Sequence, residues 1–289
     1  MPKKTPNPTK SLKIPLLILV SAKLCALISR KLVTAYAAKL FTTPIKHKIP
    51  KRELKMDSES IQKRIHIPSI NKNIMVYEYG KSDKKILLVH GWSGRGTQLF
   101  KIADVLLENG YSVVSFDAPA HGKSEGSTTI MSEFIESILE IEKQYGPFEI
   151  TIGHSLGGMS VLNSIKDGLK VKKAVIIGSG DIVQDILDEF IFKLGLKSEI
   201  SIRLRDYFET KYQVKMDDFS AYRAAKEIEI SVLVIHDEND PEVPVKAGIH
   251  IHEHLKNGSL FLTEGLGHRK VLGNQSVIKK ITEFIRENN

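Results

Sequence analysis

Apolar and polar positions alternate between two periods along most of this chain. Short β-branched runs such as Lys85-Ile86-Leu87-Leu88-Val89 and Val232-Leu233-Val234-Ile235 read as buried strands, and between them lie stretches of helical spacing. The pattern predicts strands over 74–79, 85–90, 112–117, 148–153, 173–178, 230–236 and 259–263. It predicts helices over 97–108, 129–144, 156–167, 245–256 and 275–286. Strands alternating with helices imply a mainly parallel sheet covered on both faces, the α/β class. Residues 181 to about 225 break the alternation. Ile182–Ile191 and Ile202–Phe208 are amphipathic and helical with no strand between them, so a helical insertion interrupts the sheet pattern here.

One boundary between strand and helix carries chemistry. Gly153-His154-Ser155-Leu156-Gly157 fits G-x-S-x-G where the strand residues Phe148–Ile152 give way to a helix. A serine on so tight a turn projects its hydroxyl away from the backbone, and the flanking glycines remove side chains that would collide there. Serine needs a base to take its proton and a carboxylate to orient that base. Downstream, His236-Asp237-Glu238-Asn239-Asp240-Pro241 leaves the strand at 230–236, and Gly265-Leu266-Gly267-His268 follows the strand at 259–263. The candidates are therefore Ser155 as nucleophile, His268 as base and Asp240 as acid, with Asp237 and Asp181 as alternatives for the acid. Upstream, His90-Gly91-Trp92-Ser93-Gly94 ends the strand at 85–90 and offers backbone N–H groups for an oxyanion.

Together these motifs make the chain resemble the α/β-hydrolase superfamily, in its broad group of small esterases, lipases and related serine hydrolases. The matching segments are H-G-W-S-G, F-D-A-P-A-H-G-K-S, G-H-S-L-G-G, H-D-E-N-D-P-E-V-P and G-L-G-H, from about residue 65 onward. The order Ser155, Asp240, His268 is the order that family implies. The resemblance also implies an oxyanion hole from the N–H groups of Trp92 and Leu156, and a cofactor-independent reaction on a small-molecule carboxylic ester; thioesters, lactones and carbon–carbon bonds stay open as targets of the same serine chemistry, and a noncatalytic ligand-binding module is the alternative class. His90, Gly91 and His154 would border the substrate, shaping the site by hydrogen bonding. The resemblance implies as well that residues 181 to about 225 form a small helical cap over Ser155, which would set which acyl and alcohol groups fit. Ala118-Pro119-Ala120 departs from the family pattern, where an arginine and a glycine are commoner.

Charge changes the picture at one end only. Residues 1–55 hold 13 lysines and arginines against one acid, Glu53, a balance of +12, whereas the other 29 basic residues meet 33 acidic ones, a balance of −4. Roughly 230 residues suffice for one α/β domain. Residues 1–55 thus read as a basic extension and 56–289 as a hydrolase domain whose mild acidity speaks against binding nucleic acid. Within the extension, Ile14–Val20 is apolar but too short to span a bilayer. Ser21–Phe41 reads as one basic amphipathic helix, with Leu24, Ile28, Leu32, Ala35 and Tyr36 opposite Lys23, Arg30, Lys31 and Thr34. Residues 14–41 are expected to seat on an anionic membrane surface, as an address separable from the catalyst. A helix packed on the body is one alternative. Export is the other, since Lys3, Lys4, Lys10 and Lys13 precede the apolar run and Ala35-Tyr36-Ala37 resembles a signal cleavage site. The single cysteine, Cys25, excludes an internal disulfide. No metal site is expected. His250 and His254 stand at i, i+4 without a third ligand, which reads as a solvated helix face.

Overall fold

The computed structural model describes residues 14–287. Lys3, Lys4, Lys10 and Lys13 lie outside them. In chain order the elements are α1 (Leu16–Ile28), α2 (Arg30–Phe41), α3 (Leu54–Glu59), β1 (Ile61–Ile67), β2 (Lys72–Tyr79), β3 (Lys85–Val89), α4 (Phe100–Glu108), β4 (Ser112–Asp117), α5 (Met131–Tyr145), β5 (Ile150–His154), α6 (Leu156–Lys166) and β6 (Lys173–Ile177). They continue with α7 (Val183–Lys193), α8 (Glu199–Tyr212), α9 (Ala221–Glu227), β7 (Ser231–Asp237), α10 (Val245–His254), β8 (Gly258–Thr263), α11 (Gly267–Lys270) and α12 (Gln275–Arg286).

All eight strands form one sheet in the order β1-β2-β4-β3-β5-β6-β7-β8. The pairs from β4 to β8 are parallel, and β1 and β2 add an antiparallel edge. Every residue of β4, β5 and β6 is buried, because helices cover both faces and neither face can be polar. Alternate strand residues divide between two cores. Leu87, Val89, Ala174, Ile176, Val232 and Val234 pack under α5, α6, α9 and α10; Ile86, Leu88, Val175, Ile177, Leu233 and Ile235 pack under α4 and α12. The strand β1 was not expected from the pattern. Only Ile65 and Ile67 of its seven residues are buried, so an edge position leaves it too polar to read as a strand.

Helices α7, α8 and α9 rise from the C-terminal end of β6 and form the expected cap. Its hinge is hydrogen-bonded: the Ala221 amide donates to the Asp181 carbonyl and the Val183 amide to Ser220 Oγ.

The N-terminal extension differs from its sequence reading in two ways. First, Ser29 has extended backbone (φ −162°, ψ 137°) and splits the expected 21–41 helix into α1 and α2, its hydroxyl accepting from the Lys31 amide to start α2. Second, α2 belongs to the core. Val33, Ala37 and Ala38 are buried within the larger cluster, and the Phe41 ring packs on Phe190 and Phe208 of the cap at 5.1 and 5.7 Å. Ala35-Tyr36-Ala37, the candidate cleavage site, therefore lies inside a packed helix.

Beyond α2 the chain runs beside the loops that leave β3 and β4. The Ile45 amide donates to Ser93 Oγ, Lys46 Nζ to the Ser124 carbonyl, and Arg95 to the His47 carbonyl. Glu53, the one acid of the extension, is buried with Arg95 at 3.2 Å and accepts from Thr97 Oγ1 at 2.8 Å. A chain begun near Asp57 would lack Glu53, the carboxylate that pairs with Arg95 just beyond the H-G-W-S-G loop. Glu53→Ala should lower unfolding stability by about 3–5 kcal/mol in a urea titration, the usual cost of stranding one partner of a buried pair. A loss below about 1 kcal/mol would mean that solvent reaches Arg95 and that the extension is separable after all.

Candidate active site

The turn between β5 and α6 holds Ser155 at φ +55°, ψ −121°, a region that non-glycine residues rarely occupy. Two close approaches keep it there. A Cβ on Gly153 would strike the Gly157 carbonyl, and one on Gly157 would strike the carbonyls of Val89 and His90. The Ser155 amide donates to the Ile177 carbonyl at 2.9 Å, tying the turn to the end of β6. Ser155 is half-buried, and among the described residues its hydroxyl has no hydrogen-bond partner.

His268 opens α11 and points its Nδ1 at Asp240 Oδ2, 2.7 Å away. A carboxylate only accepts, so Nδ1 carries the proton and Nε2 is left with its lone pair. Asp240 Oδ1 accepts from the amides of Glu242 and Val243 at 2.8 and 2.9 Å, which is the work of the Pro241-Glu242-Val243-Pro244 turn. Burial pushes the Asp240 carboxyl up, but the His268 ring and these two amides outweigh it and hold it below the ordinary carboxylate range. The Cβ position of Gly178, one residue beyond the carbonyl that anchors Ser155, lies 3.3 Å from His268 Nδ1 and 3.5 Å from Asp240 Oδ2. The structure therefore gathers Ser155, His268 and Asp240 at the C-terminal ends of β5 to β8.

The two alternative acids have other partners. Asp237 accepts from the amides of Asn239, Leu266 and Gly267 and from Thr263 Oγ1, so it pins the loop that carries His268. Asp181 accepts from the Tyr222 amide and contacts His250 Nδ1 at 2.5 Å. That contact corrects the reading of His250 and His254 as a solvated face: both rings pack on Tyr222 in the joint between cap and sheet. Among the described residues no group of three or more His, Cys, Asp or Glu side chains could share a metal ion.

The loop after β3 supplies the other wall. A Cβ on Gly91 would lie 2.8 Å from the Ser155 Cβ, so Gly91 borders the nucleophile directly. The amides of Trp92 and Leu156 have no protein partner among the described residues; Leu156 is the first residue of α6, whose leading N–H groups have no carbonyl to meet. Trp92 is partly exposed and sets its ring edge-on against His121 at 5.4 Å.

His90 and His154 are buried behind this surface and bond to its backbone. His90 donates from Nδ1 to the Gly91 carbonyl and accepts at Nε2 from the Ala118 amide. His121, in the F-D-A-P-A-H-G-K-S segment, accepts at Nε2 from the Ser93 amide and donates from Nδ1 to the Pro119 carbonyl. These two rings cross-link the loops after β3 and β4. His154 donates from Nε2 to the His268 carbonyl at 2.9 Å, with the two rings 4.6 Å apart. Ala120 takes φ +65° in the departing A-P-A segment, a conformation that glycine would adopt without strain. Asp117 was not anticipated as an organiser. Its buried carboxylate accepts from the amides of Gly96 and Lys123 and from Tyr77 Oη, so one residue shapes both loops.

Burial lowers His90 to about 4 and His121 to about 3, and sends His154 well below its ordinary range, with neighbouring positive charge as a lesser cause. In the unfolded chain the same rings titrate near 6.5. Below that pH the unfolded state takes up protons that the native state refuses, so the stabilisation is complete above about 6.5 and is lost as pH falls toward 4. Burial raises Asp117, which acts in the opposite sense. The melting temperature should therefore fall distinctly between pH 7.5 and pH 5. A flat profile over that interval would mean that the rings are not held neutral.

Comparison with known proteins agrees with this architecture. A family model described as alpha/beta hydrolase fold matches residues 84–193, and one described as TAP-like protein matches residues 209–289. A 2-hydroxy-6-oxononadienedioate/2-hydroxy-6-oxononatrienedioate hydrolase of Escherichia coli K12 is 24% identical over 263 residues, covering 71% of this chain and 88% of its own. Among solved structures, an esterase from Exiguobacterium antarcticum superposes with TM-score 0.63 at 16% identity, covering 78% of this chain and 100% of its own. An esterase from Pyrococcus furiosus gives TM-score 0.64 at 17% identity, covering 85% and 97%.

Proposed function

This chain belongs to the α/β-hydrolase superfamily, and from that premise we propose that it is a serine hydrolase cleaving a carboxylic ester through an acyl-enzyme. The observation that carries the reading is the convergence of a serine held at positive φ on a strand-to-helix turn with a His268–Asp240 pair at 2.7 Å at the same C-terminal end of the sheet.

In this reaction Ser155 Oγ attacks the carbonyl carbon while His268 Nε2 takes its proton. The negative charge that develops on the carbonyl oxygen is met by the N–H groups of Trp92 and Leu156. Asp240 stays ionised and balances the imidazolium. Collapse of the tetrahedral intermediate expels the alcohol, which leaves with the proton from Nε2. Water then attacks the acyl-enzyme by the same route and regenerates Ser155. No cofactor enters any step. His154 supports the base from behind: fixed by its bond to the His268 carbonyl and kept neutral, it adds no competing charge.

A second reading is hydrolysis of a carbon–carbon bond, favoured by the name of the Escherichia coli relative. A noncatalytic ligand-binding role is a third, against which the intact Ser155, Asp240 and His268 stand. One experiment separates them. Fluorophosphonate should label wild-type protein and not Ser155→Ala, and p-nitrophenyl esters of graded chain length should be turned over where a vinylogous diketo acid is not. Labelling without ester turnover would move the assignment to carbon–carbon cleavage, and absence of labelling would favour the binding module.

A further inference from the structure

The helix α1 is apolar almost all round, and one of its apolar faces is turned outward. Only Ala22 of its 13 residues is fully buried, and Ile18, Leu19 and Cys25 are partly covered on the body side. On the outer side Leu16, Leu17, Val20, Leu24, Leu27 and Ile28 recur at helical spacing with relative exposures of 74, 83, 46, 55, 84 and 75%. Six large aliphatic side chains in one solvent-facing stripe exceed the scattered apolar residues of an ordinary surface. Folding alone gives no reason for this arrangement.

We propose that the outward face of α1 docks on a membrane surface carrying anionic lipid, lying in the boundary between headgroups and acyl chains. Charge selects this occupant. Lys23 on α1 and Lys31 at the start of α2 are exposed, and the first 55 residues carry +12 where the rest of the chain carries −4. A second copy of the chain would bring the same basic extension against itself, whereas anionic headgroups complement it. Length decides between lying on the bilayer and crossing it. Thirteen residues of helix extend only about 20 Å against a hydrocarbon core of about 30 Å, and no helix among the described residues is long and apolar enough to span.

The attachment of α1 fixes which side of the enzyme meets the lipid. Ser21 Oγ bonds Tyr36 Oη at 2.6 Å, and Arg30 pairs with Glu199 of α8 at 3.3 Å. The turn after α7 reaches Lys23, whose Cε lies 3.4 Å from the Cβ position of Gly195, and Phe192 just before that turn is 77% exposed. The docked face thus runs from α1 onto the cap. This inference does not depend on the reaction proposed for Ser155.

The test uses the full chain, since residues 30–53 are part of the fold. Wild type should sediment with vesicles of phosphatidylcholine and phosphatidylglycerol and far less with phosphatidylcholine alone. Leu17→Asp with Leu24→Asp and Leu27→Asp should weaken that binding by roughly ten-fold or more while leaving ester turnover in solution unchanged. Lys23→Glu with Lys31→Glu keeps every outward leucine and should also weaken it, more at low salt than at high. A solvatochromic dye on Leu27→Cys, in a Cys25→Ser background, should shift to the blue on the mixed vesicles. Equal sedimentation with neutral vesicles, triple-variant binding at the wild-type level, or an unshifted dye would each overturn the proposal. So would a wild-type dimer in sedimentation velocity that the triple variant abolishes without any wild-type vesicle binding.

Discussion

Ser155→Ala and His268→Ala are each expected to lower kcat on a short ester by about 10⁴–10⁶-fold, and the double variant should be hardly worse than either one. The expectation follows from the roles proposed for the two side chains. Without His268 the serine keeps its proton, and without Ser155 the base has no nucleophile to activate, so the second loss removes what the first has already disabled. Any rate left in the variants would come from the proposed oxyanion donors and from substrate binding. The melting temperature of Ser155→Ala should move little, because the Ser155 hydroxyl has no protein partner among the described residues, whereas His268→Ala takes the ring from the buried Asp240 carboxylate and should lower it. Multiplying losses would mean that the two side chains act in separate steps. Turnover within ten-fold of wild type in Ser155→Ala would remove the nucleophile from the scheme.

The parts of this site legible in the sequence are those whose chemistry leaves a local mark. A serine between two glycines, a histidine after G-L-G and an aspartate before P-E-V-P are marked by the turns they need, and each turn is a short-range feature. The central strands were legible for a similar reason, since burial on both faces demands uninterrupted apolar runs. What escaped depends on long-range packing. The edge strand β1 has two buried residues, and nothing local distinguishes it from a loop. Asp117, at the end of β4, resembles any strand-terminal acid until the loops bearing Gly96 and Lys123 fold over it. Glu53 stands among lysines in a segment that reads as solvated, and only its partner Arg95, 42 residues away, shows that it is buried. The packing of α2 escaped for the same reason. Its charge describes its exposed side faithfully but says nothing of Val33, Ala37 and Ala38 packed within the larger core.

The acid offers the sharper discrimination, because the two neighbouring aspartates are built into the site differently. Asp240→Asn retains an oxygen for the amides of Glu242 and Val243 but turns an N–H₂ group toward His268 Nδ1. The ring must then accept at Nδ1 and carry its proton on Nε2, the tautomer that cannot take a proton from Ser155. The expected result is a fall in kcat of about 10⁴-fold with little change in melting temperature. Asp237→Asn should behave in the opposite way. Both of its carboxylate oxygens accept, one from Asn239 and Gly267 and the other from Thr263 and Leu266, so an amide at this position sets a donor against donors in a buried space. A loss of about 2–4 kcal/mol of unfolding stability is expected, with activity falling only as far as the loop bearing His268 loosens, and recovering in part on cooling. Were Asp240→Asn to remain within ten-fold of wild type while Asp237→Asn lost activity without losing stability, Asp237 would be the acid, and the bond between Asp240 and His268 would have no part in the proton transfer.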